Sequence, residues 1–226
     1  MPIYTDPPTS QLIEMLTRPG LALYEGWQDE AGIDGTLWTW TNPATGAAWA
    51  RGASGAYLRA TSAPNANETC RLRSNQRWIA APSIYGVNTV LRRFNLEFEF
   101  RLTNVANIDN TLSLFGLTPA VASDRTTANI IAFTLLADVL QTVTDSGGVE
   151  TVNTGFGETL TNWNKLKIEI YPLRVVFSLN ETIIAVHTTN LPNLPFYLNW
   201  FVDTEAGGAA TIEPGVIRAW YEDIIR

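Results

Sequence analysis

The sequence predicts an all-β protein built as a two-sheet antiparallel sandwich. The evidence is the recurrence of apolar side chains at every second position, the turn-forming segments and the length of the chain. Residues 94–102 alternate apolar and polar side chains, so five apolar residues share one side of a strand. The alternation returns at residues 166–170, 175–179 and 196–202. Turn-forming segments such as Asp145-Ser146-Gly147-Gly148 separate such runs. We expect roughly ten to twelve strands.

Residues 1–20 are expected to form an arm with a short helix, and residues 21–226 a single β-sandwich domain. Prolines favour an extended chain at the start, and Pro19-Gly20 ends the helical pattern of residues 9–18. The arm either packs on its own domain or binds a neighbouring subunit, and the sequence leaves both open. Its candidate assembly residues are apolar: Ile3, Tyr4, Leu12, Met15 and Leu16.

The charge and the reactive side chains exclude several classes of function. With 15 basic and 22 acidic residues, the net charge is −7, and such a surface repels nucleic-acid phosphates. The chain has one cysteine, Cys70, and one histidine, His187. It therefore forms no internal disulfide and lacks the usual thiolate and imidazole metal sites. No apolar run suits a membrane helix or a signal peptide, so we expect neither export nor anchoring.

The second half of the chain resembles a known superfamily. The resemblance lies in residues 91–104, 112–118, 162–169 and 175–182, followed by Asn190-Leu191-Pro192. These segments are similar to the concanavalin A-like lectin/glucanase superfamily, in which a Trp-initiated strand leads into a hairpin. The resemblance implies a jelly-roll sandwich with one concave sheet on which members often bind sugars. The family spans lectins, glucanases, adhesion modules and virion proteins, so it does not decide the function.

The family's glucanases carry a pattern like E-x-D-x-x-E on one strand. Glu97 and Glu99 fit it in part, but Glu99 stands where Asp is expected and Leu102 where the third acid belongs. We therefore interpret Glu97, Glu99 and Arg101 as a solvated face with cross-strand ion pairs. His187 has no nameable nucleophile as its partner, and Asp145-Ser146-Gly147-Gly148 suits a hairpin turn. We expect no catalytic residues and no enzyme activity.

Calcium is the one metal that the composition leaves open, because it binds through oxygen ligands alone. Asp109 with Asn107 and Asn110, or Asp203 with Glu205, offers such ligands. Neither group has the spacing of a dedicated calcium loop, so we expect ordinary acidic loops and no cofactor.

Tryptophans are the candidate sugar-binding residues, since an aromatic face matches the C–H face of a pyranose ring. Trp163 and Trp200 lie within strand patterns and are expected in the core. The exposed candidates for carbohydrate binding are Trp38, Trp40 and Trp49, which lie in a segment rich in Gly and Thr.

These observations favour a non-enzymatic structural or assembly protein of a virus or phage particle, as a capsid decoration subunit or a tail or fibre component. Its partners would be other virion proteins or further copies of itself, and its location the virion, assembled in the host cytoplasm. An alternative is an extracellular, lectin-like module that binds surface glycans. A glycoside hydrolase is the third hypothesis. No nucleic-acid or membrane partner is expected.

Overall fold

The computed structural model describes residues 21–25, 33–42, 44, 46–51, 57–62, 68–79, 92–109, 112–136, 138–204 and 208–223. These residues form sixteen strands in two sheets and one short 3₁₀ helix, η1 (Val105–Asn107), with no α-helix. No helix in this part of the chain is long and apolar enough to cross a membrane. The predicted arm and its helix lie outside the described residues, so the arm stays a prediction.

Sheet A contains eight antiparallel strands, seven of them in one continuous order. That order is β14 (Thr182–His187), β13 (Arg174–Leu179), β12 (Asn164–Tyr171), β7 (Arg92–Thr103), β16 (Thr211–Asp223), β4 (Leu58–Thr61) and β3 (Ala47–Arg51). The eighth strand, β1 (Leu21–Glu25), also pairs with β16.

Sheet B has the same plan. Its continuous order is β11 (Val149–Thr154), β10 (Val139–Ser146), β9 (Ile131–Leu136), β8 (Leu114–Thr118), β15 (Pro195–Val202), β5 (Cys70–Ser74) and β2 (Trp38–Thr41). Strand β6 (Trp78–Ile79) pairs with the start of β15.

The hydrophobic core lies between the two sheets and is formed by every second side chain along their strands. Phe98 of sheet A packs edge-on against Trp200 of sheet B, with ring centroids 5.0 Å apart. Phe133 packs edge-on against both Phe98 and Phe177. All four rings are fully buried. Because alternate residues of each strand point inward, this packing leaves the intervening residues on the two outer faces of the sandwich.

The prediction of an all-β, two-sheet antiparallel sandwich is confirmed, although the described residues form sixteen strands where roughly ten to twelve were expected. The expected hairpin at Asp145-Ser146-Gly147-Gly148 is also present, joining β10 to β11. Gly147 and Gly148 have φ angles of 67° and 86°, which a two-residue hairpin turn requires and glycine adopts without strain.

Candidate functional site

The outer face of sheet B, on the side away from sheet A, carries a cluster of arginine and aromatic side chains. Strand β5 pairs with β15 so that Arg71 lies opposite Phe201, and Arg73 opposite Asn199. Leu72, between the two arginines, belongs to the core and faces inward. The pleat therefore places both arginines on the outer face of the sheet.

The arginines stack on aromatic rings of β15. The guanidinium carbon of Arg71 lies 4.4 Å from the ring centroid of Phe201. Those of Arg73 and Arg77 lie 4.8 Å and 5.1 Å from the ring of Tyr197. Contacts of this length hold cations against an aromatic face. We call this group, with Asn199 between the two rings, the arginine row: Arg71, Arg73, Arg77, Tyr197, Asn199 and Phe201.

The arginine row is locally cationic in a chain whose net charge is −7. In the described part of the chain, no carboxylate lies within 4.0 Å of the guanidinium of Arg71, Arg73 or Arg77. By contrast, seven other basic residues form ion pairs with carboxylates: Arg59, Arg93, Arg101, Arg125, Lys165, Lys167 and Arg218. Arg77 is exposed, Arg71 is half-buried and Arg73 is 8% exposed, so the row offers its positive charge to an anionic ligand mainly through Arg77.

The connection between β8 and β9 is tied to the arginine row through its backbone. The carbonyl oxygen of Ser123 accepts hydrogen bonds from Asn199 Nδ2 at 2.8 Å and from Arg71 Nη2 at 3.3 Å. The carbonyl oxygen of Pro119 accepts one from Arg77 Nη2 at 2.9 Å. These bonds hold the connection beside the row and fix the direction of three of its side chains.

Two polar atoms of the row are buried without a hydrogen-bond partner among the described residues. They are Arg71 Nε and Asn199 Oδ1, and Asn199 is 0% exposed. A buried polar atom left without a partner costs about 1–3 kcal/mol, more for a charged group. Burial also lowers the pKa of Arg71, while the nearby carboxylate of Asp124 opposes that shift. Protein atoms shield both atoms from solvent, so neither is open to a ligand in this structure.

The acidic residues proposed from the sequence as calcium ligands lie close to each other. Asp109 donates its backbone N–H to the carbonyl oxygen of Asp203 at 2.8 Å. Burial, together with the charges of Asp109 and Asp124, raises the pKa of the Asp203 carboxyl. Asn110 and Glu205 lie outside the described residues. Within the residues that the structure describes, no group of three or more His, Cys, Asp or Glu is placed to hold a metal ion.

The central strands of the outer face of sheet B carry small and neutral side chains. The register pairs Gly116 with Ala132, and Thr134 with Gln141. The hydroxyl of Thr134 lies 3.5 Å from Gln141 Oε1. A two-carboxylate glycoside hydrolase needs its acids in facing positions, and these four positions carry none. Asp145, the acidic residue of β10 on this face, is buried at the hairpin end, where its Oδ1 accepts hydrogen bonds from the backbone N–H groups of Asn129 and Gly148.

The three tryptophans proposed as sugar-binding residues have different environments. Trp38 is 1% exposed and packs edge-on against Trp200, and Trp49 is buried with its indole N–H donated to the carbonyl of Thr41. The expectation that these two are exposed is therefore wrong, because both face the interior. Trp40 is 39% exposed, so sugar binding through Trp40 stays a prediction. Trp163, expected in the core, is exposed.

The single histidine belongs to the interior. His187 of β14 is buried, and its ring nitrogens lie 3.1 Å from Thr142 Oγ1 and 2.9 Å from Thr144 Oγ1, both on β10. Its ring also contacts Phe177, with centroids 4.9 Å apart. His187 therefore links the two sheets. Burial lowers its pKa from 6.5 to about 4.

This histidine makes the stability depend on pH. Since the folded pKa is the lower one, its contribution is complete above pH 6.5 and is lost as the pH falls towards 4. We expect the free energy of unfolding to fall by about 2 kcal/mol between pH 7 and pH 5. Urea titrations at the two pH values measure the drop, and the His187→Gln variant should show a much smaller one. An imidazole NMR resonance titrating at its ordinary pKa in the folded protein contradicts this account.

On the outer face of sheet A, the expected cross-strand ion pairs are present for Glu97 and Arg101 but, among the described residues, not for Glu99. The expectation of a solvated face is wrong for Glu97, which is 7% exposed. Glu97 accepts a hydrogen bond from Arg218 at 2.6 Å and lies 3.5 Å from the Lys165 ammonium. Arg101 pairs with Glu213, which also pairs with Arg59. Glu97 and Arg101 thus have structural partners on neighbouring strands.

No protein-family model and no curated protein sequence matches the chain. Solved structures do match over most of its length. A β-glucanase from Bacillus licheniformis matches with a TM-score of 0.58 and 14% identity, covering 90% of this chain and 99% of its own. The laminarinase catalytic domain from Thermotoga maritima matches with a TM-score of 0.61 and 11% identity, covering 91% and 98%. The fold is the concanavalin A-like jelly roll.

A third match is an alginate lyase of polysaccharide lyase family 7, with a TM-score of 0.56 and 11% identity, covering 83% of this chain and 95% of its own. All three are enzymes of polysaccharides by name. The matches therefore overturn the expectations of a non-enzymatic structural protein of a virus or phage particle and of a chain without enzyme activity. Those expectations relied on the absence of an export signal, of disulfides and of one glucanase pattern, and such absences do not separate the functions that this fold supports.

Proposed function

We propose that the protein is a carbohydrate-active enzyme that acts on an anionic polysaccharide, and that the arginine row binds the acidic groups of that polymer. The observation that carries the proposal is the stacking of Arg71, Arg73 and Arg77 on Phe201 and Tyr197 with no carboxylate partner in the described chain. Guanidinium groups bind carboxylates in a planar, two-point geometry, and the aromatic rings offer apolar surface to the sugar rings.

The chemistry of the row favours elimination over hydrolysis. Hydrolysis by the usual route requires two carboxyl groups across the scissile bond. On this face, the described residues of β8, β9 and β10 carry one carboxylate, Asp145, which is buried and accepts hydrogen bonds from the backbone N–H groups of Asn129 and Gly148. Elimination from a uronate instead requires neutralisation of the sugar carboxylate, removal of the proton on the adjacent carbon and protonation of the leaving oxygen. The alginate lyase match is consistent with this choice.

In this proposal, the guanidinium groups of Arg73 and Arg77 neutralise the uronate carboxylate. Tyr197 is half-buried between two guanidinium groups, and its hydroxyl has no protein partner among the described residues. Its phenolic oxygen accepts the proton from the carbon next to the carboxylate while the phenolic hydrogen passes to the leaving oxygen, so the C–O bond breaks, a C=C bond forms and the tyrosine returns to its starting state.

The test combines binding and product formation on a panel of alginate, polygalacturonate and neutral β-glucans. We expect binding to at least one polyuronate that weakens as salt is added. We also expect the ultraviolet absorbance of the unsaturated uronate that elimination produces. The variants Arg73→Gln and Arg77→Gln should each weaken binding about tenfold, which is the scale of one charge-assisted hydrogen bond. Tyr197→Phe should bind normally and form almost no product.

Arg174→Gln is the matched control, because Arg174 also stacks on a tyrosine, Tyr171, at 4.5 Å, but does so at the hairpin end of sheet A. It should leave binding and product formation unchanged. Failure to bind any polyuronate contradicts the proposal, and so does an equal loss of binding in Arg174→Gln. Binding without product in the unmodified protein contradicts the elimination step.

A further inference from the structure

Trp163 is an exposed tryptophan on the opposite side of the sandwich from the arginine row. It immediately precedes β12, whose first pairs with β7 are Asn164 with Phe100 and Lys165 with Glu99. Its side chain is 40% exposed, and it lies with Glu99 and Arg101 over the outer face of sheet A. The ring lies outside the core between the sheets, so core packing does not explain its position.

The ring of Trp163 is held in place by its neighbours. The guanidinium carbon of Arg101 lies 5.0 Å from its centroid, and Tyr57 packs edge-on with centroids 5.4 Å apart. Arg101 is itself fixed by an ion pair to Glu213, a fully buried carboxylate. An exposed aromatic ring that is already fixed loses little conformational freedom when a ligand stacks on it.

Gly215 makes room for this ring. A Cβ atom added at Gly215 would lie 3.1 Å from Trp163 Cζ3 and 3.0 Å from Glu99 Cβ, closer than ordinary packing allows. The glycine lies at the irregularity in the pairing of β16 with β7, between Pro214 and Ile217. The backbone and the tryptophan thus form one shallow surface with Glu99 at its edge.

Glu99 differs from the other carboxylates of this face. Glu97, Glu169 and Glu213 all have arginine partners. Among the described residues, Glu99 has no hydrogen bond or ion pair, although its Oε2 lies 3.3 Å from the position of the added Cβ at Gly215. Glu99 can therefore accept hydrogen bonds from ligand hydroxyls without breaking an existing contact.

We propose that Trp163, Tyr57 and Glu99 form a second carbohydrate-binding site, for an uncharged glycan. The apolar face of one pyranose ring would stack on Trp163, while Glu99 accepts hydrogen bonds from the hydroxyls at its edge. The free carboxylate repels a uronate, so the site selects a neutral sugar. It lies on the other sheet from the arginine row and does not depend on the function proposed for that row.

The experiment is affinity electrophoresis in native gels that contain mixed-linkage β-glucan, hydroxyethyl cellulose or alginate. The unmodified protein should be retarded by at least one of the two neutral polymers. Trp163→Ala and Glu99→Gln should each raise the dissociation constant for that polymer about tenfold or more. Trp163→Phe keeps an aromatic ring for stacking and should lose less affinity. Leu173→Ala is the control, since Leu173 is 81% exposed at the tip of the β12–β13 hairpin.

Arg77→Gln separates the two proposals, because it should leave retardation by the neutral polymer unchanged while weakening binding to a polyuronate. No retardation of the unmodified protein by either neutral polymer overturns the second site. Unchanged retardation of Trp163→Ala also overturns it. If gel filtration shows that Trp163→Ala abolishes self-association instead, the surface binds a second copy of the chain and the proposal is wrong.

Discussion

Replacing Glu213 with alanine is expected to lower the free energy of unfolding by roughly 3 kcal/mol. Glu213 is 0% exposed and accepts a hydrogen bond from Arg59 Nε at 2.6 Å while pairing with Arg101 on its other side. Its loss leaves two cations close together without their shared anion. Because both arginines are partly exposed, water relieves part of this penalty, and we take the lower end of the range for a broken buried pair.

Chemical denaturation by urea measures this effect, and Glu222→Ala provides its control. Glu222 also pairs with an arginine, Arg93, but its side chain is 49% exposed. An exposed pair contributes about 1 kcal/mol or less, so this variant should be nearly as stable as the unmodified protein. If Glu213→Ala and Glu222→Ala lower the free energy of unfolding equally, the burial of Glu213 does not increase the contribution of its ion pairs to stability.

Replacing Trp200 with alanine is expected to lower the free energy of unfolding by about 4 kcal/mol. Trp200 is fully buried at the centre of the core, where it packs edge-on against Trp38 and Phe98. The truncation removes apolar area and leaves a cavity that two rigid neighbouring rings do not fill. The same urea titration measures the loss.

Two variants bracket that result. Trp200→Phe keeps most of the ring and removes an indole N–H that has no partner among the described residues, so the loss should be at most about 2 kcal/mol. Trp40→Ala removes the same residue type from a site that is 39% exposed, and about 1 kcal/mol or less is expected. If Trp40→Ala costs as much as Trp200→Ala, the core does not lie where the structure places it.

The strands were predictable because their signal is local. In β7, the inward positions from Phe94 to Leu102 are all buried, as the alternation requires. The hairpin at Gly147-Gly148 was equally predictable, since two successive glycines can adopt the positive φ angles of a two-residue turn in any context. Short strands with mixed composition, such as β5, have too few residues for an alternation of apolar and polar side chains to be recognised. The number of strands was therefore underestimated.

The arginine row was not predictable, because its two halves lie far apart in the sequence. Arg71-Leu72-Arg73 alternates as a strand should, and this local signal was available. Its aromatic partners Tyr197 and Phe201 are brought beside it by the pairing of β15 with β5. No local pattern specifies that pairing, so a site formed across two strands appears only when the topology is known.

The exposure of the tryptophans depended on the same long-range information. Trp38 lies in a Gly- and Thr-rich segment that resembles a surface loop, but it is buried against Trp200 of another strand. Trp163 precedes a strongly apolar strand, but it faces outward over Arg101. Composition around a residue therefore failed to predict which face of the sheet it would occupy.

The most direct test of the account is the location of a polyuronate oligosaccharide in a crystal structure of the complex. The account predicts that sugar carboxylates contact the guanidinium groups of Arg73 and Arg77, with a sugar ring beside Tyr197. A bound oligosaccharide that lies elsewhere and leaves the arginine row empty would contradict the proposed function.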